Sequence, residues 1–325
     1  MKLNINIPIL RFKFFVGLVS CLLLLQSTLR AQDSTAVAQK TVAPAKVKPV
    51  KNTFQSIWII DNQTVLVPAK GTFEMDIMHR FGTINNGYQD FWGFFAPSNI
   101  RLWAGYAPID KLYLGIGITK LNLLWDASAK YSFFTQTPEK YPVSLTYYGN
   151  MAFDTRSDPD GSIFKYSSQR VSFFNQLIIA RKFSDKFSLQ IAPSISHQNS
   201  TPGYYTKNDS TGTATYQEMK FDHFAIAVSG RYKITNVTAL TINYDQPLTK
   251  HPDNNPNPNL SFGVEFTTSN HSFQLFFTNF SMLSPQANNL YNKNTPFAYT
   301  DAQGNRVQGG QFLIGFNITR LWNFK

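Results

Sequence analysis

The last residues of the chain, GGQFLIGFNITRLWNFK (309–325), alternate in character. Phe312, Ile314, Phe316, Ile318, Trp322 and Phe324 fall on one parity, interrupted only by Arg320. Gln311, Gly315, Asn317, Thr319 and Asn323 fall on the other, with Leu313 and Leu321 as apolar exceptions. A period of two belongs to a strand whose two faces meet different surroundings. One such setting is a sheet half-packed on a core. The other is a barrel wall with lipid outside and water within. Composition separates them. The chain has 325 residues, 15% aromatic and 15% charged, yet its mean hydropathy is only −0.22. A helical membrane protein is far more apolar, and a soluble domain carries about 25% charged residues. Many aromatics, few charges and middling hydropathy suit a lipid-facing barrel with a polar lumen.

The alternation recurs. Twelve strands are predicted, over 72–81, 99–107, 111–120, 124–135, 142–153, 169–182, 187–198, 219–233, 237–246, 259–267, 271–280 and 310–323. Leu112/Leu114/Ile116/Ile118 and Leu260/Phe262/Val264/Phe266 exemplify the apolar parity. Lengths near ten suit a tilted strand crossing a bilayer. The connections sort by length: the long ones are 82–98, 154–168, 199–218, 247–258 and 281–309. With an even strand count both termini are periplasmic, and every long connection then falls outside, as outer-membrane barrels require. Only the short 121–123 breaks the outer pattern. The long loops are rich in Asn, Asp, Gly, Pro and Ser, the residues of solvated turns. No internal repeat is visible. The fold expected is all-β: a single antiparallel transmembrane β-barrel of about twelve strands, closed by its last strand against its first.

The N-terminus points to export. Lys2, Arg11 and Lys13 precede the apolar run FFVGLVSCLLLL, and LRA ends at Ala31 before Gln32. This reads as a signal peptide over 1–31. Its removal takes away Lys2, Arg11, Lys13 and Arg30 and no acid, so the formal net charge falls from +11 to +7. The basic balance is therefore largely N-terminal, and no nucleic-acid partner is expected. The single cysteine, Cys21, has two readings: the lipidated residue of LVSC, or a small apolar residue within the run. The LLLLQS that follows favours the second. Residues 32–53, rich in Ala, Lys and Pro, read as a flexible periplasmic leader. SIWIIDNQTVLVPAKG (56–71) reads as an apolar lead-in, a hairpin or a plug at the barrel mouth, and the barrel region as 54–325.

Two stretches, KGTFEMDIMHRFGTINNG with its HRFG and FWGFFAPSNIRLWAGYAPIDKLYLGIGITK, resemble an uncharacterised family of outer-membrane β-barrels of Gram-negative bacteria. The resemblance covers roughly residues 54–325. It implies a barrel in the outer membrane and supplies neither catalytic residues nor a substrate. The terminal strand also resembles the C-terminal signal read by the barrel assembly machinery, with Trp322 and Phe324 as its aromatics and Lys325 as a departure.

The second parity of each strand predicts the lumen lining: Glu74, Asp76, Arg80, Arg101, Asp126, Lys130, His223, Arg231, Asp245 and Glu265. Charges of both signs in a narrow barrel fit a selectivity lining. They fit equally a set of ion pairs that fills the lumen, because an unpaired buried charge is costly. The function expected is a passive channel or transporter for small solutes, with a structural or docking barrel of filled lumen as the alternative. A hydrolase is the weaker reading. Outer-membrane phospholipases use a Ser/His pair and outer-membrane proteases Asp and His, but His79, His197, His223, His251 and His271 are scattered. No HExxH, GxSxG, phosphate-binding loop or CxxC occurs. No enzyme activity, metal or cofactor is expected. Trp92, Phe94 and Phe95 in the first outer loop fit either an interfacial girdle or an access patch for a hydrophobic ligand. The partners expected are outer-membrane lipid and the assembly machinery.

Overall fold

In a computed structural model, residues 47–207, 214–300 and 304–324 are described. The signal peptide and the leader up to residue 46 lie outside the described residues. Twelve strands form one closed antiparallel barrel. They are β1 (Thr72–Thr83), β2 (Asn99–Ile109), β3 (Leu112–Thr119), β4 (Leu124–Phe134), β5 (Ser144–Asp154) and β6 (Val171–Lys182), then β7 (Phe187–Gln198), β8 (Asp222–Lys233), β9 (Thr238–Pro247), β10 (Asn259–Thr267), β11 (His271–Thr278) and β12 (Leu313–Asn323). Each pairs with its neighbour in sequence, and β12 pairs with β1. Every predicted strand is present, with ends within three residues of those expected. No described helix is long and apolar enough to cross a membrane.

The parity holds around the wall. In β9, Thr241, Asn243 and Asp245 are buried inside while Leu240 and Ile242 lie exposed outside. At the closing seam Trp322 stands opposite Phe73, Ile318 opposite Ile77 and Phe316 opposite His79, all on the lipid-facing parity. The register shifts once at this seam, between Leu313 and Gly315. Inside the wall, Gly115 lacks the Cβ that would stand 2.0 Å from the Trp103 ring. That absence lets Trp103 lie across β3, where its indole N–H donates to the Tyr113 hydroxyl at 3.1 Å.

Short connections such as 183–186 lie at the periplasmic end and long ones at the outer end. Several outer connections carry structure that alternation does not report. A ribbon pairs Gly203–Lys207 with Ala214–Glu218. Between β11 and β12 a short helix, α1 (Pro285–Tyr291), follows an extended Ser284, with proline in its first turn. Proline suits that position because its missing N–H would have no helical partner there.

Candidate functional site: the occupied lumen

A bore of twelve strands is wider than the eight-strand bore that wall side chains just fill. Here the lead-in fills it. Trp58–Ile59 pairs with Asn62–Gln63 in a tight hairpin, and Phe54, Ile57, Trp58, Ile59, Ile60 and Val65 are all buried. Ile60 at the hairpin tip has φ +61, an outlier for a β-branched residue. The wall fixes it there: its N–H donates to Gln274 Oε1 at 3.0 Å, and Asn317 Nδ2 donates to its carbonyl at 2.6 Å.

The hairpin is bonded to the wall on many sides. The Trp58 indole N–H donates to Asp76 Oδ2 at 2.9 Å. Asp61 accepts from Arg80 at 2.8 Å. Asn62 Nδ2 donates to Asp245 at 2.8 Å and to Asn243 at 2.9 Å. Gln63 accepts from Lys130 Nζ at 2.7 Å, while Gln190 Nε2 donates to its carbonyl at 2.7 Å. Nearer the periplasm, Gln55 accepts from Arg231 at 2.9 Å. On its apolar side, Phe54, Ile59 and Val65 pack in one cluster with Tyr148, Phe174 and Ile178. Ile57 and Trp58 join Met78, Trp103 and Leu283 in another.

All ten charged or ionisable residues expected in the lumen are buried within the barrel. Arg101 pairs with Asp126 at 2.6 Å, and Asn150 donates to the same carboxylate at 2.7 Å. The Arg101 guanidinium also lies 5.3 Å from the Trp58 ring and 4.6 Å from that of Trp103. Arg231 pairs with Glu265 at 2.6 Å, which also accepts from Gln274 at 3.1 Å. These are the conditions under which buried charge is tolerable: opposite charge at contact distance and hydrogen bonds to the remaining lone pairs. Glu74 is fully buried two residues before Asp76 on the same face. His223 stands at the outer end of β8, its Nε2 3.2 Å from that of His251 in the loop after β9. Among the described residues, no group of three or more metal-ligating side chains comes together.

The outer end is covered by α1. Gln286, Asn288, Asn289 and Leu290 are buried. Gln286 Nε2 donates to Asn150 of β5, and Asn292 Nδ2 donates to Asn259 of β10 at 2.9 Å. The hairpin and the helix together occupy the bore from both ends.

The remaining expected residues lie on the outside. Phe94 contacts Phe81 on the lipid-facing parity of β1, at a ring separation of 4.6 Å. Trp92 and Phe95 cluster with it through Phe91, so these aromatics flank the wall and do not cover the bore. Trp322 meets Phe73 at 5.7 Å, and Phe324 lies exposed near the same ring at 6.5 Å. The charged residues expected from parity leave out the amides that do most of the bonding, Gln55, Asn62, Gln63, Asn243, Gln274 and Asn317. Those on strands sit on the lumen parity, so extending that parity to neutral polar residues would have found them.

No curated protein matches the chain. Solved outer-membrane barrels do resemble it. A COG4313 outer membrane channel from Pseudomonas putida F1 is 11% identical with a TM-score of 0.44, covering 79% of this chain and 97% of its own. The NanC porin is 9% identical with a TM-score of 0.41, covering 78% and 99%. The KdgM porin is 8% identical with a TM-score of 0.40, also covering 78% and 99%. Likeness at this level says nothing of a substrate. A family model matches residues 54–322, nearly the whole of the hairpin and barrel. This is an outer-membrane β-barrel of Gram-negative type, and it belongs to the family described as membrane bound beta barrel domain (DUF5777).

Proposed function

We propose that the barrel is a channel for small polar solutes, closed at rest by its own N-terminal hairpin. The observation that carries this reading is the chemistry of the wall behind the plug. Asn243, Gln274, Asn317, Gln190 and Lys130 meet the hairpin through hydrogen bonds. Water can replace such bonds at a net cost of about 0.5–1.5 kcal/mol each. With the plug displaced, these same groups would line a bore able to hold water and polar solutes.

The plug does not leave unaided. Six buried apolar side chains at about 1.5–3 kcal/mol each amount to roughly 9–18 kcal/mol. Opening therefore requires a bound solute, a partner on the leader, or movement of part of the hairpin. That same anchorage favours a second reading, a docking barrel whose filled lumen is permanent and whose loops or leader bind a partner. Neither reading includes a chemical step.

Planar-bilayer conductance separates them. The intact protein should be closed most of the time, and a variant that lacks residues 54–67 and carries a short Gly-Ser linker in place of 284–292, the segment that covers the outer end, should conduct steadily. In that variant Arg101→Ala and Glu265→Ala should change ion selectivity. A deletion variant that folds, judged by heat-modifiable migration, and still does not conduct would sink the channel reading.

A further inference from the structure

The first outer connection does not behave as a solvated loop. Between Gly82 and Ile100 there is no lysine or arginine, and the one acid is Asp90. That carboxylate is used internally, accepting from the Gly93 N–H and from Asn86 Nδ2, each at 2.9 Å. Yet Tyr88 and Phe95 are 82% and 81% exposed, and Phe91, Trp92 and Phe94 are exposed beside them. An aromatic surface of this size facing water would be an aggregation liability.

The loop is held in place. The Gly82 N–H donates to the Gly93 carbonyl at 3.0 Å, and the Ile84 N–H to the Phe312 carbonyl at 2.8 Å. Gly93 has φ +84, and a Cβ there would stand 2.3 Å from the Gly82 carbonyl oxygen. Phe91 and Trp92 both adopt left-handed backbone, φ +52 and +53. Strained backbone of this kind persists only where its surroundings over-determine it.

The aromatics continue the lipid-facing belt without a break. Phe316 of β12 stacks on His79 of β1 at 5.1 Å. His79 meets Phe81 at 4.3 Å, and Phe81 meets Phe94 at 4.6 Å. Phe94 meets Phe91 at 5.9 Å, and Phe91 stacks on Phe95 at 5.5 Å. Both strands of the chain's closing seam contribute to this run.

We infer that the loop between β1 and β2 is an aromatic foot embedded in the outer leaflet beside the β12–β1 seam, with membrane lipid as its partner. Lipid is the occupant because the foot is continuous with a surface that lipid already covers and offers no basic group to an anionic partner. Aromatic rings are enriched at this depth because one part of the ring is apolar and its edge tolerates the headgroup region. The foot also shields the outer end of the seam, where the register shift leaves the pairing irregular.

The test uses tryptophan quenching in the intact protein, reconstituted at high dilution into phosphatidylcholine vesicles whose acyl chains carry bromine. Trp58 and Trp103 are buried in the bore, so Trp125→Phe and Trp322→Phe leave Trp92 as the one outward-facing indole. Its emission, obtained as the difference on adding Trp92→Phe, should be blue-shifted, mostly lost in brominated lipid and unaffected by aqueous iodide. If the double background does not fold, the same difference is read between the wild type and Trp92→Phe alone. Emission quenched by iodide and indifferent to brominated lipid would overturn the inference. Shielding that disappears as protein is diluted into more lipid would overturn it too, since that is the mark of contact between copies of the chain.

Discussion

Trp58→Ala tests how the hairpin is held. Trp58 is buried in the apolar cluster with Trp103 and Leu283, edge-on to Trp103 at 5.9 Å. Removing a buried indole costs about 3–5 kcal/mol. Asp76 would also lose the donor at 2.9 Å, and a buried acceptor deprived of its partner costs about 1–3 kcal/mol more. The hairpin's docked state should thus weaken by about 4–8 kcal/mol, a large part of the apolar anchorage worked out above. At about 1.4 kcal/mol per tenfold, even the lower figure raises the undocked population roughly a thousandfold. A Val65→Cys background supplies the readout, because Val65 is buried against the wall and the chain's own cysteine, Cys21, lies in the predicted signal segment. Labelling by a water-soluble maleimide should be slow in the background, faster with Trp58→Phe, which keeps most of the packing and loses the N–H, and fastest with Trp58→Ala. Equal labelling in all three would refute the idea that the hairpin docks as one unit through this residue.

Other outcomes follow from the same contacts. Arg231→Ala should destabilise the folded barrel by about 3–5 kcal/mol, because Glu265 is left buried without its cation, while the double variant Arg231→Met/Glu265→Gln should recover most of that loss; the shift in the thermal transition of heat-modifiability reads both. Gly115→Ala should cost about 1–3 kcal/mol by overpacking, since its Cβ would fall 2.0 Å from the Trp103 ring, and Trp103→Leu should relieve it. Deleting 313–323 should abolish membrane insertion, because β11 and β1 would then expose unpaired backbone in hydrocarbon; normal yield and protease resistance would contradict the closing role of β12. Phe324→Ala should lower assembled yield and leave the properties of the barrels that do form unchanged, as measured by yield against conductance.

The wall was legible because one physical constraint repeats twelve times. Lipid outside and polar contents inside force a period of two, and parity alone points nine charged residues and His223 inward. What fills the lumen was less legible. The lead-in was readable as a hairpin or plug, but Asp61 as the partner of Arg80, or Gln63 as that of Lys130, depends on a fold that brings distant positions together. α1 falls inside the predicted loop 281–309 because seven residues, PQANNLY, carry no helical periodicity; the Ser-Pro that opens it is the one local signal. The outer ribbon containing Tyr204 and Tyr205 was hidden for a related reason: it stands outside the membrane, where neither face is obliged to be apolar. Trp92, Phe94 and Phe95 were visible as a patch, but which side of the wall they flank depends on Phe81.

The hairpin and the wall belong to one chain, and only residues 64–71 separate Gln63 from β1. Eight residues span at most about 3.3–3.6 Å each, so a hairpin drawn from the bore stays within roughly one bilayer thickness of its seat. It is a tethered ligand at an effective concentration of millimolar order. A free peptide of the same sequence would have to be supplied at comparable concentration to take its place, and any open period of the barrel would be ended by the chain's own hairpin.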